Sequence, residues 1–298
     1  MKIGLALMFV RPLPYQPEIL DWIGQYADEF GYESLWVPEH IVIPANYQTA
    51  YPYNPQTNKL PNNDETDTWP NPMVVLGYLA AVTKKVRLGT CITIAPLHNP
   101  IEMATQWAAL DVLCQGRSIF GIGSGWLKEE FDALQIDWHQ RGARTDESIQ
   151  AMRVLWREDP STFKGRHFRF ENLRCFPKPI HRSIPIFIGG NSKAAARRAA
   201  RFGDGFFPVG EPHELAACLR EMEAECARIG RNPNEIERFV GGGNPAGFNP
   251  AKARETIKRY ADMGVSRTML PVPYLGWEFT REGIKQGMGA MMEKIGES

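Results

Sequence analysis

The 298-residue chain carries 34 Lys+Arg against 34 Asp+Glu, so it has no formal net charge at pH 7. That balance excludes the electrostatic footprint of a protein that grips nucleic-acid backbones nonspecifically. With 43% apolar and 23% charged residues the composition is that of an ordinary globule rather than a disordered chain, and the length suits two domains or one α/β barrel.

The five cysteines (Cys91, Cys114, Cys175, Cys218 and Cys226) are scattered and include no C-x-x-C pair. This argues against a disulfide framework or a zinc knuckle, so a reducing cytoplasm and no bound metal are expected. The opening run M-K-I-G-L-A-L-M-F-V ends at Arg11-Pro12 without a small-residue cleavage site, and reads as a buried first strand rather than a signal peptide. The longest uncharged apolar stretch, 74–82, is too short to span a bilayer, so no membrane partner is expected.

In chain order, residues 2–8 form an apolar run of strand length. Ile19, Leu20, Ile23, Tyr26, Ala27 and Phe30 then recur at helical spacing, and Gly31 closes the segment. Further strands are predicted at 34–37, halted by Pro38, and at 86–94, 118–123, 185–189, 205–208, 236–241 and 265–271. Asn99-Pro100 supplies a cap and a proline at the first helical position for a helix to about Cys114. Helical patterns follow at about 192–202, 211–229, 250–263 and 279–295. Eight strands alternating with helices imply parallel pairing and suit a (β/α)8 TIM barrel; an open doubly wound sheet uses the same pattern.

Residues 1–298 show no linker or low-complexity tract and read as one domain. Two stretches break the rhythm. Residues 41–72, after strand 2, are crowded with Pro, Asn and Tyr without a clean period, and read as a lid-like insertion. Residues 157–184 read as a hairpin.

Catalytic groups of a barrel sit on the rim, just after the strands. Strand 2 is followed by Glu39 and His40, and a rim imidazole beside a carboxylate can hold or pass a proton, or simply hydrogen-bond the backbone. Strand 4 runs into Gly123, Ser124, Gly125 and Trp126. Closely spaced glycines let backbone N–H groups approach a ligand oxygen, although a tight turn uses them equally well. The Trp126 indole suits stacking on a flat cofactor. Strand 5 leads through Gly189, Gly190, Asn191 and Ser192 into a helix, an arrangement suited to an anion or to an ordinary cap. Lys193, Arg197, Arg198 and Arg201 on that helix read as a solvated outer face. Cys91 reads as a small core residue.

Together these segments resemble the luciferase-like monooxygenase family, flavin or deazaflavin enzymes on a (β/α)8 barrel. The resemblance spans nearly the whole chain. It rests on S-L-W-V-P-E-H at 34–40, V-R-L-G-T-C-I-T-I-A-P at 86–96, N-P-I-E-M-A-T-Q-W-A-A-L-D at 99–111 and G-R-S-I-F-G-I-G-S-G-W-L-K-E-E-F at 116–131. R-G-A-R-T-D-E at 141–147, I-P-I-F-I-G-G-N-S at 184–192 and A-A-R-F-G-D-G-F-F-P at 199–208 complete it. The pieces G-W-x-x-E-E-F and R-G-x-R-x-D-E are most similar to the coenzyme F420-dependent branch.

The resemblance implies an oxidoreductase that transfers hydride between coenzyme F420 and a small organic substrate. An FMN-dependent monooxygenase using O2, fed by a separate cofactor reductase, is the alternative, and a non-catalytic flavin-binding barrel a third reading. His40 takes the place of the proton-handling histidine at the deazaflavin ring, with Glu39 where the branch often has aspartate. Thr90, Cys91 and Ile92 match a bulge behind the ring that contains a non-proline cis peptide, here Cys91-Ile92. Gly123, Ser124 and Gly125, with Gly189, Gly190, Asn191 and Ser192, match the contacts to the cofactor's phosphate and side chain. Trp126 stands where members often carry a carboxylate. Glu129 and Glu130 are nearby substitutes for it, or ordinary acids of an early helical turn. Family members are often homodimers.

Overall fold

Eight short strands pair in parallel and close on themselves in a computed structural model of the chain, which describes residues 1–54, 57–60, 67–210, 212–242 and 249–296. With these eight among them, the strands of the described residues are β1 (Lys2–Ala6), β2 (Ser34–Val37), β3 (Arg87–Thr90), β4 (Thr93–Ile94), β5 (Ser118–Gly123), β6 (Ser161–Lys164), β7 (Arg169–Leu173), β8 (Ile186–Gly189), β9 (Gly205–Phe207), β10 (Val209–Gly210), β11 (Glu237–Gly242) and β12 (Arg267–Pro271). The ring runs β1-β2-β3-β5-β8-β9-β11-β12 and returns to β1, each neighbour pair parallel. Because β9 pairs with β11 and β12 with β1, the sheet has no open end, and the doubly wound alternative falls away. The fold is the (β/α)8 barrel.

The helices α1 (Pro17–Phe30), α2 (Pro72–Val82), α3 (Pro100–Leu113), α4 (Lys128–Ala133), α5 (Arg141–Arg157), α6 (Lys193–Phe202), α7 (Pro212–Ile229), α8 (Ala253–Asp262) and α9 (Arg281–Gly296) surround the ring. Local chemistry sets several ends as expected. Gly31 ends α1 at φ 77°, a left-handed conformation that glycine adopts without Cβ conflict. The Asn99 side chain accepts from the Ile101 amide at 2.9 Å while Pro100 opens α3. Asn71 and Pro72 repeat that device at α2, a helix that periodicity does not mark because its 74–82 run is apolar on every face. Among the described residues no helix is long and apolar enough to cross a membrane. Helix α5 was also unassigned, and the hairpin expected within 157–184 is the antiparallel pair β6–β7.

One expected strand is two. Residues 86–94 stop as β3 at Thr90, pass through a cis Cys91–Ile92 peptide, and resume as β4, which pairs with β5. Inside the barrel Trp36, Ile119, Phe187, Phe207 and Phe239 form a plug, with ring centroids of Trp36 and Phe239 4.6 Å apart and Phe207 stacked on Phe239 at 4.2 Å. Gly89 makes room for it, since a Cβ there would lie 2.6 Å from the Trp36 ring. Burial of each such side chain contributes roughly 1.5–3 kcal/mol. Cys91, Ile92, Phe207 and Met269 touch both this plug and the space above it, so the core is also the floor of the site.

Candidate active site

A cavity of about 700 Å³ opens at the carboxyl ends of the strands, where barrel chemistry sits. The site residues expected from the sequence border it, except Thr90 and the two candidate acids Glu129 and Glu130. Thr90 is fully buried; its hydroxyl donates to the Gly121 carbonyl at 2.7 Å and accepts from Thr93 Oγ1 at 3.1 Å. It stitches β3 to β5 across the strand break.

His40 and Glu39 are both 7% exposed, yet they do not pair with each other. Glu39 Oε2 accepts from the Ile94 amide at 2.7 Å and lies 3.0 Å from His98 Nε2, so it holds β4 in place. Burial lowers the His98 pKa, but the Glu39 hydrogen bond and the surrounding carboxylates outweigh it, and the net shift is upward. The carboxylate that meets His40 comes from α4. Glu130, fully buried, places Oε2 2.9 Å from His40 Nδ1, while its Oε1 accepts from the amides of Ile41 at 2.6 Å and Val42 at 3.2 Å. The next acid along, Glu129, accepts from the amides of Gln48 at 2.6 Å and Thr49 at 3.0 Å, and from Thr49 Oγ1 at 2.6 Å. Both acids of the E-E-F piece therefore bind the segment that leaves His40.

Aromatic rings close round the imidazole. Trp69 and Trp126 meet it edge-to-face at 5.0 and 5.8 Å, and Tyr51 meets Trp126 at 5.0 Å. Burial raises the Tyr51 phenol pKa and pushes that of Tyr53 up to about 12, so both stay neutral donors. Burial also raises the Cys91 thiol, which favours its neutral form.

The rim glycines have a packing reason that the sequence did not show. A Cβ on Gly123 would stand 2.7 Å from Ile92 Cδ1, and one on Gly189 2.6 Å from Ile92 Cγ2. Ile92, turned inward after the cis peptide, fills the space that both glycines leave. Gly125 (φ 76°) and Gly190 (φ 118°) hold backbone conformations that disfavour a side chain. Ser124 Oγ lies 3.1 Å from Thr145 Oγ1 on α5. Asn191 exchanges side-chain hydrogen bonds with the Val209 backbone, its Oδ1 accepting from the amide at 2.8 Å, and so ties this loop to β10. Ser192 caps α6, accepting from the Ala195 amide at 3.1 Å.

Sequence reasoning missed the cationic side of the cavity. Arg198, placed on a solvated helix face, is only 8% exposed, lines the cavity, and bonds Asp146 and the Gly142 carbonyl. Its neighbours Arg197 and Arg201 do face outward, toward Glu221 and Glu225. Arg141 also lines the cavity, with its guanidinium 3.6 Å from the Trp138 ring centre. Burial and the nearby Arg198 charge both lower the Arg141 pKa. The available signal was R-G-A-R-T-D-E itself, which supplies Arg141, Gly142, Thr145 and Asp146 to this corner.

The sequence profile of the luciferase-like monooxygenase family matches residues 2–287. An uncharacterised protein of Mycobacterium tuberculosis (strain H37Rv) is 27% identical over 251 residues, covering 84% of this chain and 86% of its own. Among solved structures, the monooxygenase RslO1 from Streptomyces bottropensis superposes with a TM-score of 0.77 at 21% identity, covering 98% of each chain. The coenzyme F420-dependent tetrahydromethanopterin reductase from Methanopyrus kandleri gives 0.75 at 16% identity, covering 99% of each. With its barrel, rim histidine and glycine loops, the chain belongs to the luciferase-like monooxygenase family. It is an oxidoreductase of the flavin or deazaflavin kind.

Proposed function

We propose that the protein is a coenzyme F420-dependent oxidoreductase acting on a small organic substrate, with the described parts of the 41–72 insertion covering the cavity; 55–56 and 61–66 of the expected lid lie outside the described residues. The observation that carries the choice of cofactor is that Arg141, which meets no carboxylate among the described residues, and Arg198, already ion-paired to Asp146, line the same cavity as the capped start of α6. FMN ends on one phosphate, whereas F420 continues past its phosphodiester into carboxylates. A corner with two arginines and a helix start suits several anionic groups, and binding them relieves the like-charge repulsion on Arg141. The second reading is an FMN enzyme using O2 and separately supplied reduced flavin; a structural neighbour described as a monooxygenase in complex with FMN shares the fold.

The residues fit such a group. Ile92 and Cys91 offer an apolar floor, with Ile92 seated against Gly123 and Gly189. The chemistry the cofactor supplies when bound is hydride transfer. The protein's own part is proton handling and exclusion of water. With His40 Nδ1 committed to Glu130, the Nε2 edge is left to exchange a proton with a substrate oxygen. Trp69, Trp126 and Tyr51 shield that position from solvent. His40→Ala is expected to lower turnover of reduced F420 by about 100-fold or more while cofactor binding and far-UV circular dichroism stay unchanged. Full activity in that variant refutes the assignment.

A further inference from the structure

The Glu130 carboxylate makes more contacts than the support of an imidazole requires. Its two oxygens divide the work: Oε2 meets His40 Nδ1 at 2.9 Å, and Oε1 accepts from the amides of Ile41 and Val42, the first two residues of the insertion. Glu130 is 0% exposed, so the carboxylate end of each contact is buried, although Ile41 and Val42 themselves are exposed. A carboxylate can only accept, and therefore the shared proton of a neutral His40 ring belongs on Nδ1. Nε2, on the opposite edge, bonds no described residue, and His40 lines the cavity.

We propose that Glu130 is a positioning residue that sets the His40 tautomer, keeps Nε2 as a proton acceptor toward the cavity, and ties that setting to the seating of the insertion. The catalytic part of this inference rests on the reading of the cavity as a redox site; the tautomer and the tether do not. The His40 ring and the first turn of the insertion are thus set by one buried side chain. An insertion that lifts at 41–42 removes two donors from Glu130 and frees the carboxylate that orients the imidazole.

Glu130→Gln separates the two roles. A carboxamide oxygen can still accept from Ile41 and Val42, but its NH2 then faces Nδ1, which can only accept from it. The imidazole proton therefore moves to Nε2. Glu130→Ala removes both roles.

The test uses the full chain labelled with 15N in its histidine rings, with His40→Asn to assign the signal, at about pH 8 where a free imidazole is neutral. The wild-type ring is expected to carry its proton on Nδ1, and Glu130→Gln on Nε2. Amide exchange at Ile41 and Val42 should stay slow in Glu130→Gln and speed up about tenfold in Glu130→Ala. In turnover assays Glu130→Gln should lower kcat about 100-fold with little change in KM. A wild-type proton on Nε2, an unchanged tautomer in Glu130→Gln, or unchanged exchange in Glu130→Ala overturns the proposal. None of these spectra needs a cofactor, so failure of F420 to bind overturns only the functional reading.

Discussion

Arg141 pairs with no carboxylate among the described residues, although its guanidinium lies over Trp138 within the cavity lining. A cation held there without an acid is poised for an anionic ligand group. Arg141→Ala is expected to weaken F420 binding about tenfold, the worth of one charge-assisted hydrogen bond, and to flatten the salt dependence of binding followed by tryptophan quenching. An unchanged affinity removes Arg141 from the anion corner. At this scale the sequence was legible where a side chain's position follows from its strand. His40 and the glycines of both loops come directly after strands, and rim placement fixes them. It was not legible for Arg198, because a run of basic residues on a helix does not say which of them faces inward. Nor could adjacency reveal that His40 would be served by Glu130, ninety positions away, rather than by Glu39 beside it.

Elements carry the next layer, and α4 is the short one with most influence. Its Glu129 fastens Gln48 and Thr49. Burial alone would raise the Glu129 pKa, but the Thr49 hydroxyl and the two amides outweigh it and hold it down to about 2. The sign follows: a carboxylate with a depressed folded pKa stabilises its contact above the free value of about 4.3, and loses that contribution as pH falls toward about 2. The protection of the Gln48 and Thr49 amides, with exchange taken relative to the intrinsic rate at each pH, should therefore fall across that acid window in the wild type. In Glu129→Gln that protection should not change over the same range, and an identical acid response in the variant would contradict the tether.

The join of β3 and β5 is as constrained. A Cβ on Gly121 would stand 1.8 Å from the Thr90 carbonyl oxygen. Gly121→Ala should cost about 3 kcal/mol or more in urea unfolding, and a midpoint like that of the wild type would show that the strands can separate there. The break between β3 and β4 was invisible to periodicity, since V-R-L-G-T-C-I-T-I reads as a continuous β-branched run. The family resemblance supplied the Cys91–Ile92 bulge; hydrophobic pattern did not. The boundaries of α1 and α3 were readable because Gly31 and Asn99-Pro100 act locally.

On the scale of the whole molecule, the barrel brings an aromatic group around His40 and a cationic group around Arg141 and Arg198 into one cavity. Strand count and alternation made the closed architecture legible, because eight β-α units have few ways to bury both faces of a parallel sheet. The joining of these two groups depends on packing between α4, α5 and α6, which no single segment encodes. On the proposed reading this cavity takes a deazaflavin carrying a multiply charged tail. Titrating the purified protein with F420 and, separately, with FMN, both followed by quenching of tryptophan fluorescence, decides between the two cofactors. Saturable F420 binding at least about tenfold tighter than FMN is expected, with the difference shrinking as salt rises. Tight FMN binding with no F420 binding would contradict it.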